Sequence, residues 1–501
     1  MTRKRYINRR QFIEKSSAAM MFTIVPRNVL GKHGYISPSN KINIACIGVG
    51  SQGIRVMMNF LQRADVQVIS VCDVNKESYD YCEWWAGELR EKVRGLIGIS
   101  NWGEHYEGAF GGREPARQIV DTYYGQQKLS GRYKVCTSYN DFRELLVHEK
   151  DLDAIIIGTP DHSHAVISML AISNGKHVYC QKPFTHSIYE ANRLAQAAKK
   201  TKLATQVATG VHASESTRLL CEWIWDGAIG DIKEVHNWSN RPFWPQGHDR
   251  PEEHESIPSN LDWDLWLGPA PFHPYNHIYQ PFVWRGWKDF GTGALGDMGC
   301  YSFDTLFRVL KLGAPTSVEA SSSCEYKVQQ GLSSKQENKE TYPQAAIIHY
   351  HFPARQNMSP VTIHWYDGGL KPQRPEELEE GREMPEEGLL FIGEKGKILC
   401  NFSGNSPRLI PESAMKAYKQ PPKTLPRSIG HFEEWIQACN GGVPADANFE
   451  FAGGVTSALL LGNIALETGK KIDWNAQTMK VTNIPEANKY VQPLYRDGWY
   501  L

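Results

Sequence analysis

The feature that most constrains the fold is a strand-turn-helix transition near the start of the chain. An apolar run over residues 41–47 leads directly into Gly48-Val49-Gly50-Ser51-Gln52-Gly53, and a second apolar run, Val66–Cys72, ends on Asp73. This spacing predicts a βαβ unit that binds a dinucleotide. Gly48 permits the tight turn, Gly50 lets the N–H groups of residues such as Ser51 and Gln52 approach a pyrophosphate, and Gly53 lets the helix pack close on the strand. Asp73 is placed to accept hydrogen bonds from the adenosine ribose. It would repel a 2′-phosphate, which points to NAD rather than NADP.

With 501 residues and 41% hydrophobic content, the chain can bury large cores in two or more domains. Beyond the glycine turn, strands are expected at 154–158, 177–181 and 203–209, separated by helices at 165–173 and 187–200. Such alternation predicts a doubly wound parallel sheet over residues 41–209. The crossover from Asp73 to a strand near Lys134 is too long for a minimal unit. It carries Trp84, Trp85, Trp102 and glycine-rich residues 108–112, and reads as an insertion whose aromatics pack elsewhere on the chain or on a second subunit. Over residues 210–501, alternating stretches at 232–238 and 345–352 predict a large antiparallel sheet. Helices at 431–438 and 455–468 would complete an α+β domain for substrate and oligomerisation. The charged segment 372–387 reads as a solvated loop.

Lys+Arg and Asp+Glu both number 55, so no bulk charge favours nucleic acid or an anionic membrane as partner. Residues 1–40 differ from the rest: Arg3, Lys4, Arg5, Arg9, Arg10 and Lys15 face only Glu14, before an uncharged stretch too short to span a bilayer. Asn8-Arg9-Arg10-Gln11-Phe12 resembles a twin-arginine signal, so this segment is expected to be an export signal and linker. The expected location is the periplasm, with the export machinery as a partner and no stable membrane anchor; a basic arm on a cytoplasmic protein is the alternative. None of the ten cysteines forms a C-x-x-C pair, which suggests neither a zinc site nor a disulfide framework, and no metal is expected.

Two strand ends carry polar motifs, Thr159-Pro160-Asp161-His162-Ser163-His164 and Gln181-Lys182-Pro183. Open α/β sheets bind ligands at such ends. Thr159, Pro160, Asp161, His164, Gln181 and Lys182 are therefore candidate cofactor contacts, with Lys182 pointing at the nicotinamide. A surface cation at Lys182 and a packing histidine at His164 are the plainer alternatives. Farther on, Gly296-Asp297-Met298-Gly299-Cys300-Tyr301 opens a helix on which Asp297 and Tyr301 lie one turn apart. There the plainer reading makes Asp297 a cap and Tyr301 a core residue.

Residues 48–53, Asp73, 159–164, 181–183 and 293–304 together resemble the Gfo/Idh/MocA oxidoreductases, the family that includes glucose-fructose oxidoreductase and inositol dehydrogenase. The resemblance runs over nearly everything from residue 41 onward. It implies an NAD-dependent oxidoreductase acting on a sugar or polyol, with Lys182 and Asp297 catalytic, the next active-site position at Tyr301, and a homodimer or tetramer. Two positions depart from the family pattern: Gln181 stands where glutamate is usual, and Tyr301 where many members have histidine. The exported glucose-fructose oxidoreductase is similar to this chain in having tyrosine there.

Removing a hydride from a sugar carbon requires the hydroxyl on that carbon to lose its proton. Tyr301 is the expected base, its pKa lowered from about 10 by the Lys182 ammonium, with Asp297 orienting. His212, Arg241, Trp284 and Arg285 are candidate sugar contacts, although most aromatics of the 241–287 loops are equally read as structural fill. Two other readings stay open: an NAD-dependent glycosidase or lyase that oxidises the sugar transiently, and a non-catalytic sugar-binding protein. A periplasmic enzyme has no free NAD pool to count on, so the cofactor would be loaded before export and stay bound.

Overall fold

The computed structural model describes residues 41–83, 85–104, 108–127, 135–336 and 338–501. The expected export segment, Trp84 and Lys134 lie outside the described residues. Strand β1 (Ile42–Ile47) passes through the glycine turn into the helix Ser51–Leu61 and returns as β2 (Val66–Cys72). A short hairpin, β3 (Ser78–Tyr81) with β4 (Ala109–Gly111), interrupts the crossover to β5 (Thr137–Tyr139). Strands β6 (Ala154–Ile157), β7 (His177–Cys180) and β8 (Thr205–Val207) complete a six-stranded parallel sheet in the order β5-β2-β1-β6-β7-β8. Its central strands β1, β2, β6 and β7 are mostly buried apolar residues because both faces of the sheet are covered. Along β1, Ile44 and Cys46 join one core while Ala45 and Ile47 join the other.

The insertion packs on its own domain. Leu89, Val93 and Ile97 recur at helical spacing along Glu88–Ile97 and, with Trp102, enter the core around Ile54 and Phe60, whereas Trp85 stays exposed.

The second sheet comprises β9 (Ile232–Trp238), β10 (Ser317–Ser322), β13 (Ala346–Phe352), β14 (Val361–Tyr366), β15 (Gly388–Gly393), β16 (Gly396–Asn401), β17 (Arg408–Ile410), β18 (Ile472–Asn475) and β19 (Lys480–Val481); β11 (Tyr326–Gln329) and β12 (Leu332–Lys335) form a separate hairpin. The nine strands run β17-β16-β15-β9-β14-β13-β10-β18-β19. The sheet is mixed rather than purely antiparallel, because β9 and β14, distant in sequence, meet as a parallel pair.

Two helices fill the inner face of this sheet. One is Gly293–Val309. The other, Phe449–Thr468, is long and apolar enough to cross a membrane, but 72% of its apolar window is buried inside the protein. At Gly453 a Cβ would lie 2.8 Å from the Ala195 Cβ of helix Ile188–Thr201, so this helix clasps the first domain as well as the second sheet. The helix His431–Cys439 also returns to the first domain, where Phe432 and Trp435 meet Phe60 edge-on at centroid distances of 5.2 and 5.3 Å.

Candidate functional site

The glycine turn has the geometry its sequence predicts. A Cβ on Gly48, where φ is +79°, would lie 2.5 Å from the Thr159 backbone nitrogen, and one on Gly53 would lie 1.9 Å from the Gly48 carbonyl oxygen. No side chain caps the helix that begins at Ser51, which leaves its first N–H groups, those of Ser51 and Gln52 included, facing the turn where an anion is favoured. The Asp73 carboxylate accepts the Val49 N–H at 2.7 Å and the Asn75 N–H at 2.8 Å. Burial pushes its pKa up to about 6 against the pull of those two bonds and of Arg113. Each oxygen keeps a lone pair for a ribose hydroxyl. Turn, helix start and acid thus fit a dinucleotide.

Gly50 has a different occupant from the one expected. A Cβ there would lie 2.6 Å from the Tyr81 ring, which also touches Gly111, so the missing side chain makes room for the β3/β4 hairpin. Between this hairpin and residues 258–280 opens a cleft of about 780 Å³, with Asn75 at the Asp73 end and Cys82 within electrostatic reach of Arg285.

At the carboxyl end of β7 the structure brings together Lys182, Asp297 and Tyr301 and joins to them Arg285, expected as a sugar contact. Lys182 Nζ donates to Asp297 Oδ1 at 3.0 Å and to the Asp297 carbonyl at 2.9 Å, and it sits 4.9 Å from the Tyr301 ring centroid. Arg285 Nε donates to the same Asp297 oxygen at 3.0 Å, while its guanidinium lies 4.3 Å from the Trp284 ring. Asp297 is only 4% exposed. Burial alone would raise its carboxyl, but Lys182 and Arg285 hold it below the usual carboxylate range. For Lys182 the same contest runs the other way: burial pulls the ammonium down, and Asp297 and Tyr301 hold it above the ordinary lysine value.

Tyr301 departs from expectation. Burial pushes its phenol up, and this outweighs the lowering by Lys182, so the resting group is a neutral proton donor rather than a ready base. Asp297 caps no helix end, since the N-cap is Thr292.

Several other candidates turn out to be bracing. His164 is fully buried with its ring nitrogens 2.7 Å from the Pro183 carbonyl and 2.8 Å from the Thr159 carbonyl, so it fixes the spacing of the two motif loops and presents no free nitrogen to a cofactor. Asp161 accepts from Thr292 Oγ1 at 2.8 Å, and His162 sits on the Phe290 and Trp266 carbonyls, which makes this motif a tie between the domains. The pKa of Asp161 is pushed up to about 7 by burial. Pro160 serves as the N-cap of the helix Asp161–Ser173; Thr159 stays partly exposed beside the glycine turn, and Gln181 is buried at the end of β7.

Expected as a sugar contact, His212 is instead fully buried between the Thr209 carbonyl at 2.7 Å and Glu434 at 3.2 Å. Arg241 pairs with Glu387 and lies over Phe243. Trp284 belongs to an aromatic mini-core with Trp263, Trp266, Trp287 and Phe290, so the fill reading holds for most of these loops. Sequence reasoning missed Tyr81 and Thr292. Tyr81 has no motif around it, and Thr292 stands one residue before the 293–304 segment.

A dinucleotide turn and a charged cluster at the same carboxyl end of one parallel sheet fit a nicotinamide-type oxidoreductase. Residues 42–209 match the Gfo/Idh/MocA oxidoreductase family's NAD-binding Rossmann fold, and residues 225–350 match that family's C-terminal alpha/beta domain. The two matches cover more than half of the chain, and it belongs to this family. Among curated relatives, levoglucosan dehydrogenase of Pseudarthrobacter phenanthrenivorans is 29% identical over 119 residues, which are 23% of this chain and 30% of that protein. D-xylose 1-dehydrogenase (NADP(+)) of Hypocrea jecorina is 31% identical over 106 residues, 21% of this chain and 27% of that one. These alignments thus span about a third or less of the relatives' own length. The WlbA dehydrogenase of Bordetella pertussis, crystallised with NADH and UDP-GlcNAcA, shares the fold at a TM-score of 0.52 and 14% identity, covering 87% of this chain and 99% of that one.

Proposed function

We propose that the chain is an NAD-dependent oxidoreductase that moves a hydride between a sugar or polyol carbon and a nicotinamide lying between the glycine turn and Lys182. The observation that carries this reading is the Lys182–Asp297–Arg285 cluster beside Tyr301, at the same carboxyl end of the parallel sheet as the glycine turn. Asp73 supports NAD over NADP, because a 2′-phosphate would meet a buried carboxylate. When bound, the nicotinamide supplies the hydride acceptor and donor; the chain supplies charge and proton control. Lys182, kept as an ammonium, stabilises negative charge on the reacting oxygen. Asp297 holds it in place, and Arg285 holds Asp297. Tyr301 in its neutral form gives a proton to a carbonyl oxygen, which suits reduction; oxidation needs the phenol to ionise first.

The twin-arginine sequence supports export of the loaded enzyme to the periplasm, and the open face of the second sheet supports assembly into a homo-oligomer. Arg9→Lys with Arg10→Lys leaves the protein in the cytoplasm if the export reading holds, as fractionation would show.

The test of the chemistry is to release and identify any nucleotide carried by the purified protein, then to screen sugars for its reduction in place. The oxidation rate should climb about tenfold per pH unit through neutrality, as expected for an essential group ionising above that range. Tyr301→Phe should retain the nucleotide yet lose about 10²- to 10⁴-fold in rate, together with the climb. Near-normal turnover by Tyr301→Phe overturns the assignment, and release of aglycone from an aryl glycoside without accumulating NADH replaces the dehydrogenase with a transient-oxidation glycosidase.

A further inference from the structure

On the second sheet, alternation sends neighbouring residues to opposite faces. Asn237 points to the helix that carries Asp297, donating to Ser302 Oγ at 2.6 Å, so His236 points the other way. On that outer face, β9 and β14 place His236 directly beside His364, and β13 places His349 beside His364 on its other flank. Glu234 lies two residues before His236 on the same face. A ligand atom from each of Glu234, His236 and His364 falls within 4.8 Å of the others. Glu234 Oε2 is 3.7 Å from His236 Nε2 and 3.9 Å from His364 Nε2. Donors bound tetrahedrally to one ion at about 2.1 Å lie about 3.4 Å apart, so these separations close with small side-chain tilts.

The far sides of both rings are engaged as well. His236 Nδ1 is 3.0 Å from the Tyr366 hydroxyl, and His364 Nδ1 is 2.6 Å from His349 Nδ1. If each Nδ1 carries the proton, both Nε2 lone pairs face the Glu234 oxygen, which is how metal-binding histidines are oriented by outer partners. The nearby Lys397 ammonium is held by Glu377 at 2.7 Å.

We propose that Glu234, His236 and His364 bind a divalent transition-metal ion of the zinc class, with water completing the coordination, at a site separated from the catalytic cluster by the thickness of the sheet. Two imidazoles and one carboxylate select such ions over calcium or magnesium, which favour all-oxygen shells.

The test uses the full chain, stripped with a chelator and titrated with Zn²⁺ alone, and then with Co²⁺ followed by its visible absorption. One saturable ion per chain is expected, with tetrahedral Co²⁺ bands. His236→Ala with His364→Ala should abolish both while leaving the melting temperature of the stripped protein and its nucleotide content intact. Tyr366→Phe should weaken Zn²⁺ binding by about 10- to 100-fold, as loss of an outer partner does. No saturable binding by the stripped wild-type chain, or unchanged stoichiometry and bands in the double variant, overturns the proposal. Failure here leaves the oxidoreductase reading untouched, since neither readout depends on turnover.

Discussion

Asp161 and Asp297 sit on opposite sides of one seam, both almost wholly buried, at 1% and 4% exposure, and yet they hold protons oppositely. Asp297 faces two cations and is kept ionised. Asp161 has one hydroxyl donor, Thr292, and its other oxygen has no partner, so burial prevails and its pKa stands at about 7. Burial is common to both; what separates them is direct ion pairing, which Asp297 has with Lys182 and Arg285, whereas Asp161 feels Arg285 only at a distance and is pushed up further by Asp297. The seam thus has an end where two cations keep a carboxylate ionised and an end where burial favours the protonated carboxyl.

The largest way to break this contrast is Asp297→Asn. It leaves Lys182 and Arg285 facing each other without a counter-charge, and a broken buried pair costs about 3–5 kcal/mol. Denaturant unfolding should show that loss alongside the loss of turnover; unchanged stability would mean that solvent reaches the cluster and screens it. Next in size, Thr292→Val strips Asp161 of its one side-chain donor among the described residues, at a cost of about 1–3 kcal/mol.

The smallest test concerns pH. The pKa of Asp161 is raised on folding, from an ordinary carboxyl value of 3.8 to about 7, so the unfolded chain releases its proton first. Its contribution to stability therefore falls as pH rises from about 4 to 7 and is level above that. Asp297, lowered on folding, contributes in the opposite sense, and its share is lost only as pH drops below the ordinary carboxyl range. Melting temperatures of wild type and Asp161→Asn should diverge across pH 4–7, the variant losing the downward slope. Parallel curves would mean that Asp161 is ionised in the folded protein.

Much of this was legible in the sequence because local chemistry dictated it. The run Val66–Cys72 is a strand at those same bounds, and Asn174-Gly175 follows the helix Asp161–Ser173 as a stop should. Lys182, Asp297 and Tyr301 were readable because one follows a strand and the other two share a helix face. The protonation of Tyr301 was not, since it depends on how much protein surrounds the phenol, and no spacing records that. The parallel pairing of β9 with β14 was equally hidden, because a register between strands more than a hundred residues apart leaves no local mark. His212 looked available for substrate; only the fold reveals Glu434 behind it.

The helix that sets Trp435 on Phe60 also governs the order in which the molecule can be made. His431 completes a bond to the Tyr179 hydroxyl 252 residues earlier, at 2.8 Å. A nascent chain that has emerged only as far as β8 therefore carries an apolar flank around Phe60 and Tyr179 with nothing to cover it. The dinucleotide half cannot close its core until the last seventh of the polypeptide arrives, so the two halves mature together, and a truncation after residue 209 should be recovered as aggregate rather than as a free nucleotide-binding module.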